Sequence, residues 1–193
     1  ALTTAGVTDP DNLNNDASTP ITIPVTTTFT SIADTEVRED KPTQIFGTEV
    51  DMRVKPQAAK VARAFVQFDV SSIPSGATVT SATLTLCLTK IQAGQIHELR
   101  SVTGSWAEAT LTWNNQPTVS ATVTDTITVP GAIGCVTFTV TSNVQAWVDG
   151  TTNYGWRIND QNEGSIGRDS KYRTREDATV PAEQPKLDVT FVN

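Results

Sequence analysis

Between Arg157 and Asp177 the chain reads RINDQNEGSIGRDSKYRTRED. Five cations, Arg157, Arg168, Lys171, Arg173 and Arg175, stand there among Asp160, Glu163, Asp169, Glu176 and Asp177. Guanidinium and ammonium groups in such a cluster can take the carboxylates of an acidic sugar, arginine in paired hydrogen bonds. The carboxylates offer the hard oxygens that calcium prefers. No D-x-D-x-D-G loop occurs, so a structural calcium would be built from distant loops, with Asp34 as a candidate ligand. The plainer reading is a solvated loop and strand whose charges pair with one another.

A second group of candidates lies in TLTWNNQPT, residues 110–118. An exposed Trp113 could stack on a sugar ring while Asn114, Asn115 and Gln116 bond its hydroxyls. The competing reading is a structural corner. Trp113 then packs at the edge of the core, and the carboxamides satisfy a turn ahead of Pro117. The corner is the expectation adopted here. Trp106 reads the same way, and Trp147 as core packing.

Catalysis finds little support. Acyl transfer needs a nucleophile, a base and an orienter, yet the single histidine, His97, has no nucleophile phrase near it. It reads as a surface residue of a strand. GSIG at 164–167 lacks the spacing of a nucleophile elbow. No phosphate-binding glycine loop is present. No enzyme is expected, and no cofactor beyond the candidate calcium.

Composition narrows the partners. A net charge of −7 opposes binding to nucleic acid phosphates. No apolar run is long enough for a membrane span. Threonine makes up about one residue in six, and its branched Cβ suits a pleated sheet. In TLTLCL the leucines 84, 86 and 88 share one face, so Cys87 falls among threonines. In CVTFTV the apolar face is Val136, Phe138 and Val140, so Cys135 does too. Two cysteines of this parity are expected to bridge two strands in an oxidising compartment. Free thiols or a bridge between chains are the alternatives.

Those residues need strands to position them. Alternating segments recur at 50–54, 62–70, 79–89, 97–106, 121–129, 155–160 and 186–192, with turn clusters such as SSIPSGAT between them. TSNVQAWVDG, 141–150, has the caps and spacing of one short helix. Together they describe an all-β, jelly-roll-like antiparallel β-sandwich with one short helix. Residues 1–31 read as an N-terminal extension. Within it ITIPVTTTFT, 21–30, can form a strand, with Pro24 restricting it to an edge or bulge.

Several phrases in order carry a family resemblance: ADTEVRE (33–39), FVQFDVSSIPSGATVTSATLTL (65–86), VTGSWAEATLTWNNQPT (102–118), FTVTSNVQAWVDGTTNYGWRI (138–158) and TREDATVPAEQPKLDVTF (174–191). Over residues 32–193 the sequence resembles the DNRLRE-domain family, which overlaps carbohydrate-binding modules found beside alginate-degrading enzymes. The string DNRLRE itself is not present. The resemblance implies a secreted jelly-roll module that accompanies other proteins and is not catalytic.

Two functions follow as expectations. The first is a secreted or cell-surface structural protein, a head-to-tail homopolymer in which the 21–30 strand, through Ile21, Ile23, Val25 and Phe29, adds to the next subunit. The alternative is a module binding an acidic polysaccharide through Trp113, Arg157, Arg168, Lys171, Arg173 and Arg175.

Overall fold

The computed structural model describes residues 22–193. Its elements, in chain order, are β1 (Val25–Arg38), β2 (Asp51–Val54), β3 (Ala62–Phe68), β4 (Thr78–Lys90), β5 (Ile96–Ser101), β6 (Asp125–Thr128), β7 (Cys135–Thr139), α1 (Thr141–Val148), β8 (Trp156–Asp160), β9 (Ser170–Arg173) and β10 (Lys186–Val192). All strand pairs between these elements are antiparallel. This is the expected β-sandwich with one short helix. The strand order is β2-β9-β4-β10-β1-β3-β8-β5-β6, with β7 also on β4.

Two long strands let this one sheet fold over itself. β1 pairs with β10 through Val25–Thr30 and with β3 through Ser31–Arg38. The register shifts between Ser31 and Ala33, a bulge that bends the strand from one layer into the other. β4 meets β10 and β7 along most of its length and β9 at its end. The strand read at 21–30 is described from Val25, directly after Pro24, and continues without a break through residue 31. Ile21 lies outside the described residues, and Ile23 is exposed.

Alternation places the core between the layers. Leu84, Leu86 and Leu88 of β4, with Leu187, Val189 and Phe191 of the neighbouring β10, share one cluster with Ala64, Val66 and Phe68 of β3 and Trp156 and Ile158 of β8. Each fully buried large side chain contributes roughly 1.5–3 kcal/mol. β9 was not legible as a strand, yet its Tyr172 is fully buried in this cluster. His97 is a correction. It is fully buried rather than on the surface, with Nδ1 2.7 Å from the Tyr172 hydroxyl. Burial lowers its pKa to about 3, so it is a neutral core residue.

The helix begins at Thr141, so neither Thr141 nor Ser142 caps it, although their side chains suit a cap. Val140 is the cap position, and the Thr141 hydroxyl accepts the Ala82 amide of β4 instead, at 2.9 Å. Gly155, before β8, has φ +73°, and a Cβ there would lie 2.2 Å from the Val66 carbonyl oxygen. Only glycine lets this turn lie against β3.

The outer face of the β1–β10–β4–β7 layer carries rows of hydroxyls. Thr26 pairs with Thr190, and Thr190 with Ser81. Thr28, Asp188, Thr83 and Thr139 form the next row, and Thr30, Lys186, Thr85 and Thr137 the one after. At the following β4–β7 position Cys87 and Cys135 are register partners and are disulfide-bonded, as expected. Cys87 is nevertheless only 2% exposed. The bond closes a loop of 48 residues, which in the chain-entropy model stabilises the fold by about 3–4 kcal/mol. Replacing both cysteines by serine should lower the unfolding free energy in a urea titration by about that amount. An unchanged midpoint would contradict it.

Candidate functional site

The five cations of 157–175 do not form one patch. β9 and the turn after it carry Lys171, Arg173 and Arg175, and each is held by acids. Lys171 Nζ lies 3.2 Å from Asp51, and Arg173 pairs with Asp177 and, at 3.1 Å, with Glu183. Arg175 pairs with Glu108 and, at 3.1 Å, with Glu176. Arg168 is exposed, and its backbone oxygen accepts the Gln95 side-chain amide. Arg157 lies apart on β8, between Phe65 of β3 and Arg100 of β5.

The outer face of β3, β8 and β5 divides into two halves. One half is covered by the segment 102–124, which builds a second apolar cluster of Val37, Phe65, Val102 and Leu111 with Trp106, Trp113, Val119 and Tyr154 packed on it. The Phe65 and Trp106 ring centroids are 5.6 Å apart, and Trp106 Nε1 donates to the Tyr154 carbonyl oxygen at 2.8 Å. The other half is polar and holds Arg63, Arg100, Arg157, Glu98, Asn159 and Glu163. Trp113 sits at the seam, with the Arg63 guanidinium 4.6 Å from its ring centroid.

The carboxamides of Asn115 and Gln116 are spent locally. Asn115 Oδ1 accepts the Thr112 amide at 2.6 Å and its hydroxyl at 2.9 Å, while Asn115 Nδ2 donates to the Thr110 oxygen. Gln116 Nε2 donates to the Trp113 oxygen, and its Oε1 accepts Arg63 Nη1 at 2.8 Å. This geometry is that of a structural corner. Of the residues nominated for sugar binding, Trp113 and Arg157 belong to one face, joined by Arg63.

Arg63 and Arg100 were not foreseen. Each lies in an alternating strand, where an outward arginine reads as an ordinary surface charge. Arg63 is paired with Glu163 at 2.6 Å and Arg100 with Glu98 at 2.8 Å. Arg157 is in no ion pair among the described residues. Its Nη2 donates to Asn159 Oδ1 at 3.1 Å, and its buried Nε has no partner. Burial, and then the neighbouring Arg63 charge, lowers its pKa to about 10, so it stays cationic at neutral pH.

Asp34 enters a different cluster. Ligand oxygens of Asp34, Glu108 and Glu176 all lie within 4.8 Å of one another. Strand parity turns Asp34 inward on β1. The 102–124 segment brings Glu108, whose Oε1 accepts the Asp34 amide at 3.0 Å. The turn after β9 brings Glu176, one oxygen of which is buried without a partner. Asp34 accepts a hydrogen bond from Ser31 Oγ at 2.6 Å and another from the Arg175 backbone amide at 3.2 Å. Three carboxylates are a donor set suited to a hard cation, and the Arg175 guanidinium beside Glu108 and Glu176 offsets part of their charge. Burial first, with the Glu176 charge adding to it, raises the Asp34 pKa to about 7.

A carboxyl whose folded pKa lies above its unfolded value binds its proton more tightly in the folded state. Its contribution to stability is full below about pH 4 and is lost as pH rises through about 7. Asp34→Asn should therefore gain in melting temperature relative to the parent as pH increases from 4 to 8, by several degrees at the upper end. Parallel curves for the two proteins would show that Asp34 is ionised at no such cost. Trp113→Ala should lower stability by about 2–3 kcal/mol, because it removes packing from the second cluster. A melting curve unchanged by that substitution would make the indole a free platform.

The model of carbohydrate-binding module family 96 matches residues 25–191. A search of curated proteins gave no match. The matched span starts at the first residue of β1 and ends within β10, so it takes in both layers and both candidate clusters. Modules of this kind bind carbohydrate and do not transform it, in keeping with the lack of a catalytic motif. The chain belongs to carbohydrate-binding module family 96.

Proposed function

We propose that this domain binds an acidic polysaccharide on the polar half of the β3–β8–β5 outer face, with Arg157 as the group that meets a sugar carboxylate. The observation that carries the reading is the state of Arg157. It is a partly buried cation in no ion pair among the described residues, and its Nε lacks an acceptor. A carboxylate facing the terminal nitrogens of its guanidinium would accept two parallel hydrogen bonds and supply a direct countercharge. Arg63 and Arg100 flank the position, and each is fixed by a glutamate and so presents a preset orientation. The chain as a whole, at net charge −7, would repel a polyanion, which confines it to the face where arginines gather.

The likeness to DNRLRE domains fits the same reading, since those are secreted accessory or surface modules. A disulfide between Cys87 and Cys135 suits an oxidising, extracellular setting.

The test is binding to a polyuronate, with a neutral glucan as control, by calorimetry and affinity electrophoresis. Arg157→Ala should weaken polyuronate binding at least tenfold and leave the melting temperature within a few degrees. Arg157→Lys should restore part of it, as a point charge without the fork. Added salt should weaken binding by the parent protein. Equal retention of the Ala variant, or equal affinity for the neutral glucan, would sink the assignment.

A further inference from the structure

We infer that copies of this chain exchange the first half of β1. Val25–Thr30 of one copy takes the position beside β10 of the next, and its own β10 receives the same six residues from another copy.

The slot beside β10 shows what fits it. Val25, Thr26, Thr27, Thr28, Phe29 and Thr30 pair with Phe191, Thr190, Val189, Asp188, Leu187 and Lys186. Because the ladder is formed by this chain's own sequence, a second copy reproduces every contact without any new complementarity. Exchange then costs little beyond association, and high local concentration favours it.

The donor half is built to leave. It carries no charge and is largely exposed, and among its residues only Phe29 packs against the main core. Its other edge has no strand partner among the described residues, so β10 alone holds it within the sheet. The second half is anchored separately. Asp34, Thr35, Glu36 and Val37 are fully buried and pair with β3. The bulge between Ser31 and Ala33 separates the two halves, and its Ile32 is 53% exposed. A hinge there moves six residues without disturbing the buried ones.

Exposed apolar residues cluster along this stretch. Ile23, Val25 and Ile32 are 74%, 45% and 53% exposed. Giving and receiving use different surfaces, so the contact is head-to-tail. It propagates into a filament where the rotation does not close.

Thr26 and Thr190 are register partners whose hydroxyls lie 2.8 Å apart. Full chains carrying Thr26→Cys alone and Thr190→Cys alone are mixed at equal concentration. They are loosened in mild denaturant without reductant, returned to buffer over a range of concentrations, and oxidised. Exchange predicts a disulfide-linked pair of one Thr26→Cys chain and one Thr190→Cys chain on a non-reducing gel, increasing with concentration. It also predicts that the double variant Thr26→Cys/Thr190→Cys gives a ladder of covalent multimers. A double variant locked only within single chains at every concentration, with no mixed pair from the single variants, would overturn the inference. Both variants sit on an exposed face, so a fold failure, read by circular dichroism, is separable from a failure to exchange.

Discussion

A strand that enters the core must bury whatever its inward parity brings, and on β1 that parity brings two acids. Asp34 and Glu36 both align with the inward residues Val66 and Ala64 of β3 and are fully buried. Such charges are tolerable only when hydrogen-bonded. Asp34 accepts the Arg175 amide, and Glu36 accepts the Arg53 amide at 2.8 Å together with the Arg38 side chain. The amides come from β2 and from the turn after β9. The two acids therefore satisfy backbone groups of the β2–β9 pair and tie it to the opposite layer. Burial raises the pKa of Glu36 as it does that of Asp34, although Arg38 and Arg53 pull the other way.

The same economy governs the polar face. The 102–124 segment is long for a connection between neighbouring strands, and long connections are usually functional or packed on something. Here Leu111, Val102 and the tryptophans pack over Phe65 and Val37, which would otherwise be exposed on the outside of the sheet. The covering stops at Trp113. Beyond it the sheet presents arginines with glutamates at fixed separations, so the boundary of the apolar cover is also the boundary of the proposed binding surface.

Much of the fold was legible because one face of each strand is buried. Leu84, Leu86, Leu88 and Leu187, Val189, Phe191 fix their strands and register by period two alone. β9, SKYR, has no such contrast in its letters, and only the tertiary fold puts Tyr172 and Ser170 inside. His97 failed for the same reason. A lone polar residue reads as outward unless its buried partner is known, and Tyr172 is 75 residues away. The disulfide was readable because parity and pairing agree. The site was not. Asp34 meets Glu108 across 74 residues and the Arg175 amide across 141. The isolation of Arg157 is visible only once every neighbouring cation has found its acid.

The position of β1 also gives the domain a mechanical character. A pull on the N-terminal end of β1 along its axis acts parallel to the strand, while the hydrogen bonds to β10 run across it. The pairs from Val25↔Phe191 to Thr30↔Lys186 are then strained together and share the load. A pull perpendicular to the sheet would open the same pairs one after another from the end. Tension directed along the strand is thus resisted collectively, and tension directed away from the sheet peels it.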